Sequence, residues 1–193
     1  MLLGMEHTIL FKQPERTIIL QTASEAISYG IIQNRPMTLD LSKYPSVLLQ
    51  QGACFVTLHL NKQLRGCIGS LQAHQPLISD IELNAFNAAF RDPRFLPLTQ
   101  PEFSKISLSV SVLSEPKVIN FCSENDLIQQ LQPGIDGLII NDHGYRATFL
   151  PSVWEQLPEP RIFLNHLKIK AGLPTNYWSN TLTIERYTTE LIS

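Results

Sequence analysis

The sequence is short of the features that cross-link a chain, anchor it in a membrane or wrap it around nucleic acid. Cysteine is scarce: Cys54, Cys67 and Cys122 form an odd, scattered set. That excludes a disulfide framework and fits reduced thiols in the cytoplasm. No CxxC or HxxxH spacing offers a zinc ligand set, and no GxxxxGK[ST], GxGxxG or GxSxG segment appears. No cofactor is therefore expected. No apolar run approaches the roughly 18 residues of a membrane span. Residues 1–12 carry Glu6 and His7 without a leading basic segment, and read poorly as a signal peptide. The formal charge of −2 excludes a broad basic footprint. Nucleic acid is thus the least favoured partner, although Lys62, Arg65, Arg91 and Arg94 could form a small local patch.

What is present is an ordinary globular composition, in a chain long enough to bury roughly 70% of its unfolded surface. Residues 1–13 read as an extension and 14–193 as a single domain. From Pro14, Ile19, Ala23, Ile27 and Ile31 recur at spacing four, the face of a helix that fades near Asn34 before Pro36. Residues 35–51 read as irregular. Residues 53–60 and 64–70 form a hairpin, Pro76 opens a helix to about Phe90, and residues 105–113 alternate as a half-buried strand. Ser123 to Asp126 resembles a capping box that opens a helix to about Leu131. A second hairpin spans 137–140 and 145–149. A short helix starts at Pro151, another covers 160–171, and residues 181–187 make a last strand. The order helix, hairpin, helix, strand over about 14–115 is thus followed by helix, hairpin, two helices, strand over 116–193. About six strands in one mostly antiparallel sheet, in an α+β fold, would accommodate both copies.

The segment Leu64-Arg65-Gly66-Cys67-Ile68-Gly69 draws the most attention. A three-residue loop, Asn61 to Gln63, matches apolar faces by pairing Leu60 with Leu64, which sets His59 opposite Arg65, Thr57 opposite Cys67 and Phe55 opposite Gly69. Arg65 would then favour the Cys67 thiolate, with His59 as its base. Gly66 and Gly69 would leave room for another backbone or a ligand. The competing reading makes Cys67 a small buried hydrophobe and the glycines a bulge.

Leu64 to Leu71 resembles the AMMECR domain family, whose prokaryotic members include the AmmeMemoRadiSam system protein A group. The resemblance continues through Asn84-Ala85, Ala88 to Phe95, Ser109 to Leu113, Pro133-Gly134, Asp136 to Leu138, Ala147 to Pro151, Val153-Trp154, Lys170 to Leu173 and Trp178. It covers about residues 14 to 187. It implies duplicated strand-and-helix repeats around one barrel-like sheet. It also implies a pathway shared with a Memo-like protein and a radical S-adenosylmethionine (SAM) enzyme, but no particular reaction. The expected function is a binding or accessory module acting beside those partners through a cleft at the 64–69 strand, where a small-molecule ligand could sit. The alternative is an enzyme that uses Cys67 activated by Arg65.

Further candidates surround this strand. Asp92 and Arg94 could present a carboxylate and guanidinium near Cys67, but a role in fixing the chain reversal after the helix is favoured. Asn84 could face a cleft or hydrogen-bond the loop ahead of its helix. Arg146 and Thr148 lie on the polar face of the second hairpin, the counterpart of the first. A cleft joining the two hairpins would gather them with Arg65 and Cys67.

Overall fold

The computed structural model describes residues 11–193; the expected extension lies, up to residue 10, outside the described residues. The chain divides into two compact units, one comprising Met1–Leu113 with Glu190–Ser193, the other Ser114–Thr189.

The first unit opens with α1 (Gln13–Gln33), which buries Ile19, Ala23 and Ile27 on one stripe. It stops where Asn34 adopts a left-handed conformation at φ 52° and its N–H bonds Gly30 O. The stretch read as irregular carries α2 (Ser46–Leu49) and β1 (Gln51–Gly52). Then follow β2 (Cys54–Leu60), β3 (Gln63–Gly69), β4 (Gln75–Pro76), α3 (Leu77–Phe90), α4 (Gln100–Phe103) and β5 (Ile106–Leu113). The second unit contains β6 (Lys117–Val118), α5 (Glu124–Gln130), β7 (Gly137–Asp142), β8 (Tyr145–Phe149), a 3-10 turn (Pro151–Glu155), α6 (Pro160–Lys170) and β9 (Thr183–Tyr187). A final strand, β10 (Thr189–Ile192), extends beyond the last strand that periodicity indicates.

The strands sort into a two-stranded sheet, β1-β4, and two four-stranded sheets, β10-β5-β2-β3 and β6-β9-β7-β8. The pairings β2/β3, β2/β5, β7/β8, β7/β9 and β6/β9 are antiparallel. The architecture is therefore mixed α and β with antiparallel sheets. The strands do not join one sheet of about six, and no closed barrel is found among the described residues. The physical reason is that each hairpin has its own helical cover and its own core. Around Ile78, Ile81 and Ala85 of α3, the first core gathers Val56, Leu58 and Val110 from the sheet with Ile19 and Ile27. The second gathers Leu138, Ile140 and Ile184 with Trp154, Phe163 and Leu167. There Trp154 and Phe163 stack at 3.7 Å between ring centroids, 7° from parallel. In both four-stranded sheets a hairpin's first strand sits between its partner and a later strand, so the two share one order of elements.

Strand β10 returns the chain end to the first sheet beside β5. Arg16 of α1 holds it there, bonding Glu190 Oε1 at 2.5 Å and the Leu191 carbonyl at 2.9 Å.

Candidate functional site

The β2–β3 hairpin closes with a two-residue turn, Asn61-Lys62, not the three-residue loop expected from matching apolar faces. Both turn residues have positive φ, 52° and 66°, the conformation whose twist suits a tight hairpin. Leu60 consequently pairs with Gln63 and His59 with Leu64, while Leu58 pairs with Gly66. Arg65 is left over as the extra residue of a β-bulge. The bulge restores the register beyond it, so Thr57 faces Cys67 and Phe55 faces Gly69 as the side-chain pattern requires. Between bulge and turn the faces are reversed. Leu64 therefore joins His59 and Cys67 on the outer side of the sheet, 40% exposed. Arg65 does not face His59.

Cys67 is half-buried, with Sγ 3.3 Å from Thr57 Oγ1. Its backbone points away from β2, at the free edge of the sheet. There the Cys67 N–H donates to Asp92 Oδ2 at 2.9 Å, and its carbonyl accepts from Arg94 Nη2 at 3.2 Å. Asp92 and Arg94 are tied to each other through Nε to Oδ1 at 2.9 Å and Nη2 to Oδ2 at 2.7 Å. The ion pair thus does for the edge what a neighbouring strand would do. Asp92 is almost fully buried, and Arg94 is 53% exposed at its side chain. The bonds from Arg94, with the Cys67 and Arg94 N–H groups, hold the Asp92 carboxyl far below the usual carboxylate range despite its burial.

Arg65 is engaged by a carboxylate and makes no hydrogen bond to the thiol among the described residues. Its guanidinium is bidentate to Glu102, at 2.9 and 3.1 Å, and lies over the Phe95 ring, 5.8 Å from the centroid. Arg94 lies 5.5 Å from the same ring, so Phe95 joins the two cations. Nη1 of Arg65 is buried without a hydrogen-bond partner among the described residues. The glycines are filled from within the chain. A Cβ on Gly66 would stand 2.1 Å from the Ala88 carbonyl oxygen of α3, and one on Gly69 would overlap the Phe55 ring at 2.3 Å. Asn84 is turned toward the loop and strand: Nδ2 donates to Ser70 Oγ at 3.1 Å and to Asp80 Oδ2 at 2.9 Å. Asp80, fully buried, also accepts from the Cys54 N–H and from Ser70 and Gln75. Burial pushes the Cys54 thiol well up, so that cysteine is a packed hydrophobe.

In the second unit, Arg146 is exposed on β8. Thr148 donates to the Leu138 carbonyl at 2.8 Å and shares a hydrogen bond with Tyr187 Oη at 2.8 Å. The Tyr187 hydroxyl, pushed up to about 12 by burial, is part of that unit's interior. Asp92, Arg94 and Cys67 thus form one connected set. Arg65 adjoins it through Phe95, Asn84 belongs to a separate buried network, and Arg146 and Thr148 belong to the other unit.

The AMMECR1 family profile matches residues 20–192. The chain belongs to the AMMECR1 family. Its relatives include protein MJ0810 of Methanocaldococcus jannaschii, 36% identical over 84% of this chain and 85% of that one. A protein of Methanothermobacter thermautotrophicus is 33% identical over 88% of each. The crystal structure of PH0010 from Pyrococcus horikoshii covers 94% of this chain and 92% of its own, with a TM-score of 0.87 at 28% identity.

The AMMECR1 domain's edge strand β3 is thus held by two residues that periodicity does not single out. Glu102 is the third residue of α4, and its carboxylate accepts from Thr99 N–H and Oγ1 at 2.9 and 2.8 Å. That capping box, Thr99-x-x-Glu102, was a readable sequence signal. Phe95 had none beyond its place at the end of the family-like stretch Ala88 to Phe95. The Arg65 bonds, helped by Thr99, pull the Glu102 carboxyl down to about 2 from an ordinary 4.5. A lowered carboxylate contributes stability above its unfolded value, and this contribution is lost as pH falls through the folded value. Glu102→Gln is therefore expected to flatten the stability profile between pH 4.5 and about 2. At neutral pH it should cost about 1 kcal/mol or less, because the pair is partly solvated. Urea melts across that range provide the measurement.

Proposed function

We propose that this AMMECR1-family chain is a binding or accessory module and that it acts through the outer side of β3 around Cys67. In this reading it works in the cytoplasm beside Memo-like and radical SAM proteins, as a member of the system protein A group. The observation that carries the reading is how the motif's polar groups are used. Asp92 and Arg94 seal the strand edge at Cys67, Glu102 holds Arg65, and Phe55 and α3 occupy the glycine positions. These groups fix a surface. They leave on it a half-buried thiol, the exposed Leu64 and the exposed part of Arg94. Rigid, mixed apolar and cationic surfaces of this kind suit recognition of a protein partner, since aromatic, aliphatic and arginine groups supply most of the binding energy at interfaces.

Mixing the purified chain with each of the two partner proteins should give a complex on gel filtration. Leu64→Glu should weaken that complex about tenfold or more, with an unchanged melting temperature, because Leu64 packs little on its own side. Failure to associate, together with turnover by this chain alone, overturns the reading.

The second reading, a cysteine-dependent enzyme, draws on one observation: Cys67 combines partial exposure with a guanidinium, Arg94, bonded to its own carbonyl. Alkylation of Cys67 with a midpoint well below the ordinary ~8.5 would favour it. A midpoint at or above that value would remove it.

A further inference from the structure

A cavity of about 330 Å³ opens in the second unit, walled by residues 118–122 on one side and 178–183 on the other. Apart from Val118 at the end of β6 and Thr183 at the start of β9, both walls are irregular chain. The first begins where β6 leaves β9, just after the Ile119 N–H bonds the Ile184 carbonyl. Irregular walls keep a shape only if something fixes them, and here ionised side chains do so.

Asp142, at the end of β7 and nearly fully buried, accepts from Tyr177 Oη at 2.8 Å, from Thr181 Oγ1 at 2.8 Å and from the Ser179 hydroxyl. Lys168, its side chain wholly buried, bonds Glu124 Oε1 at 2.6 Å and the Thr175 carbonyl at 3.1 Å, and lies 5.5 Å from the centroid of the Trp178 ring. Two buried charges thus clamp the 175–181 segment. On the opposite wall, Asp126 accepts from the Cys122 N–H at 2.9 Å, and Gln130 donates to the Asn120 carbonyl at 2.9 Å. Burying charged groups is costly unless they are fully paired. Their use to fix two walls that touch only through Phe121 and Trp178 marks a preorganised cleft.

The chemistry of the lining narrows the occupant. None of the cavity's lining residues is Lys, Arg, Asp or Glu. Phe121 and Trp178 meet at 5.3 Å between ring centroids, tilted by 56°, and supply aromatic surface backed by Leu182. Asn120 and Asn180 stand exposed at the rim, with side-chain amides that take no hydrogen bond among the described residues. Each amide offers a donor pair and an acceptor, the complement of a base edge. The volume falls at the lower end of small-molecule sites. We infer that this cleft binds a small uncharged molecule with a flat ring system and hydrogen-bonding edges, of the nucleobase or nucleoside class.

The test is a titration of the isotope-labelled full chain with adenosine, followed by amide and indole NMR signals. The chain has two tryptophans. Trp154, 3% exposed and stacked on Phe163, is the internal reference for Trp178. The Trp178 indole N–H and the Asn120 and Asn180 side-chain amides should shift saturably, with a dissociation constant of about 1 mM or tighter. The Trp154 signal should stay in place. The double change Asn120→Ala with Asn180→Ala alters only exposed amides, and should weaken binding about tenfold without altering the rest of the spectrum. Absence of saturable shifts, equal shifts in the double variant, or binding of adenosine monophosphate without binding of adenosine would each overturn the assignment.

Discussion

Gly66→Ala is expected to destabilise the first unit by about 3 kcal/mol or more, the largest effect of any single methyl addition in the hairpin. The added Cβ would meet the Ala88 carbonyl oxygen at 2.1 Å and its carbon at 3.1 Å. Both atoms are α3 backbone, in the helix that carries Ile78, Ile81 and Ala85 into the core. The methyl cannot rotate away, and α3 cannot retreat without opening the core. Gly134→Ala is the control. Gly134 has φ 79° and open space around its Cβ position, so only backbone conformation resists the change, at about 1 kcal/mol. Chemical denaturation of both variants separates the two mechanisms. A cost at Gly66 no larger than at Gly134 would show that α3 does not press on β3 as described.

The second large effect is expected at Asp92. Asp92→Ala removes the acceptor of the Cys67 N–H and leaves the buried end of Arg94 without its carboxylate, for a cost of about 2–3 kcal/mol. Arg94→Ala should cost less, because its side chain is 53% exposed. The double variant should cost less than the sum of the two, since the groups act as one unit. The pH dependence has a definite sign. The Asp92 carboxyl is held far below its ordinary 3.8, so its contribution is complete above that value and is lost as pH falls beneath it. Asp92→Asn keeps one acceptor and should remove this acid-sensitive component. Stability that falls equally steeply in acid for wild type and Asp92→Asn would show that the pair does not support β3.

Much of the fold was readable from periodicity. The stripe Ile19, Ala23, Ile27 located α1, Pro76 to Phe90 located α3, and the alternation of 106–112 located β5 with Val110 and Val112 inward. The departures have separate physical causes. Short strands such as β1, β4, β6 and β10 hold too few residues to show a period, and form because a partner strand offers hydrogen bonds. Grouping about six strands in one sheet assumed that repeated units share a sheet, whereas each unit buries its own apolar cluster.

At the hairpin, matching apolar faces gave the right pairs at Thr57 and Phe55 and the wrong ones at His59 and Leu60. A bulge can reconcile a tight turn with a fixed core register, and side-chain pattern alone does not reveal it. The site was legible only in part for the same reason. Asp92 and Arg94 were placed beside Cys67 by their position at the end of α3. The partner of Arg65, however, lies 37 residues on, in a capping box whose pattern marks a helix start and says nothing of β3. Asp80, the buried acceptor for the Cys54 N–H, carries no pattern in the sequence that marks this role.

The central claim is that the outer side of β3 is where this domain meets its partner. Hydrogen exchange of the chain, alone and mixed with the Memo-like and radical SAM proteins, tests it most directly. The account predicts slowed exchange confined to residues 63–69 and 92–96, with the rest of the first unit unchanged. Binding that leaves those two segments exchanging as in the free chain would contradict it.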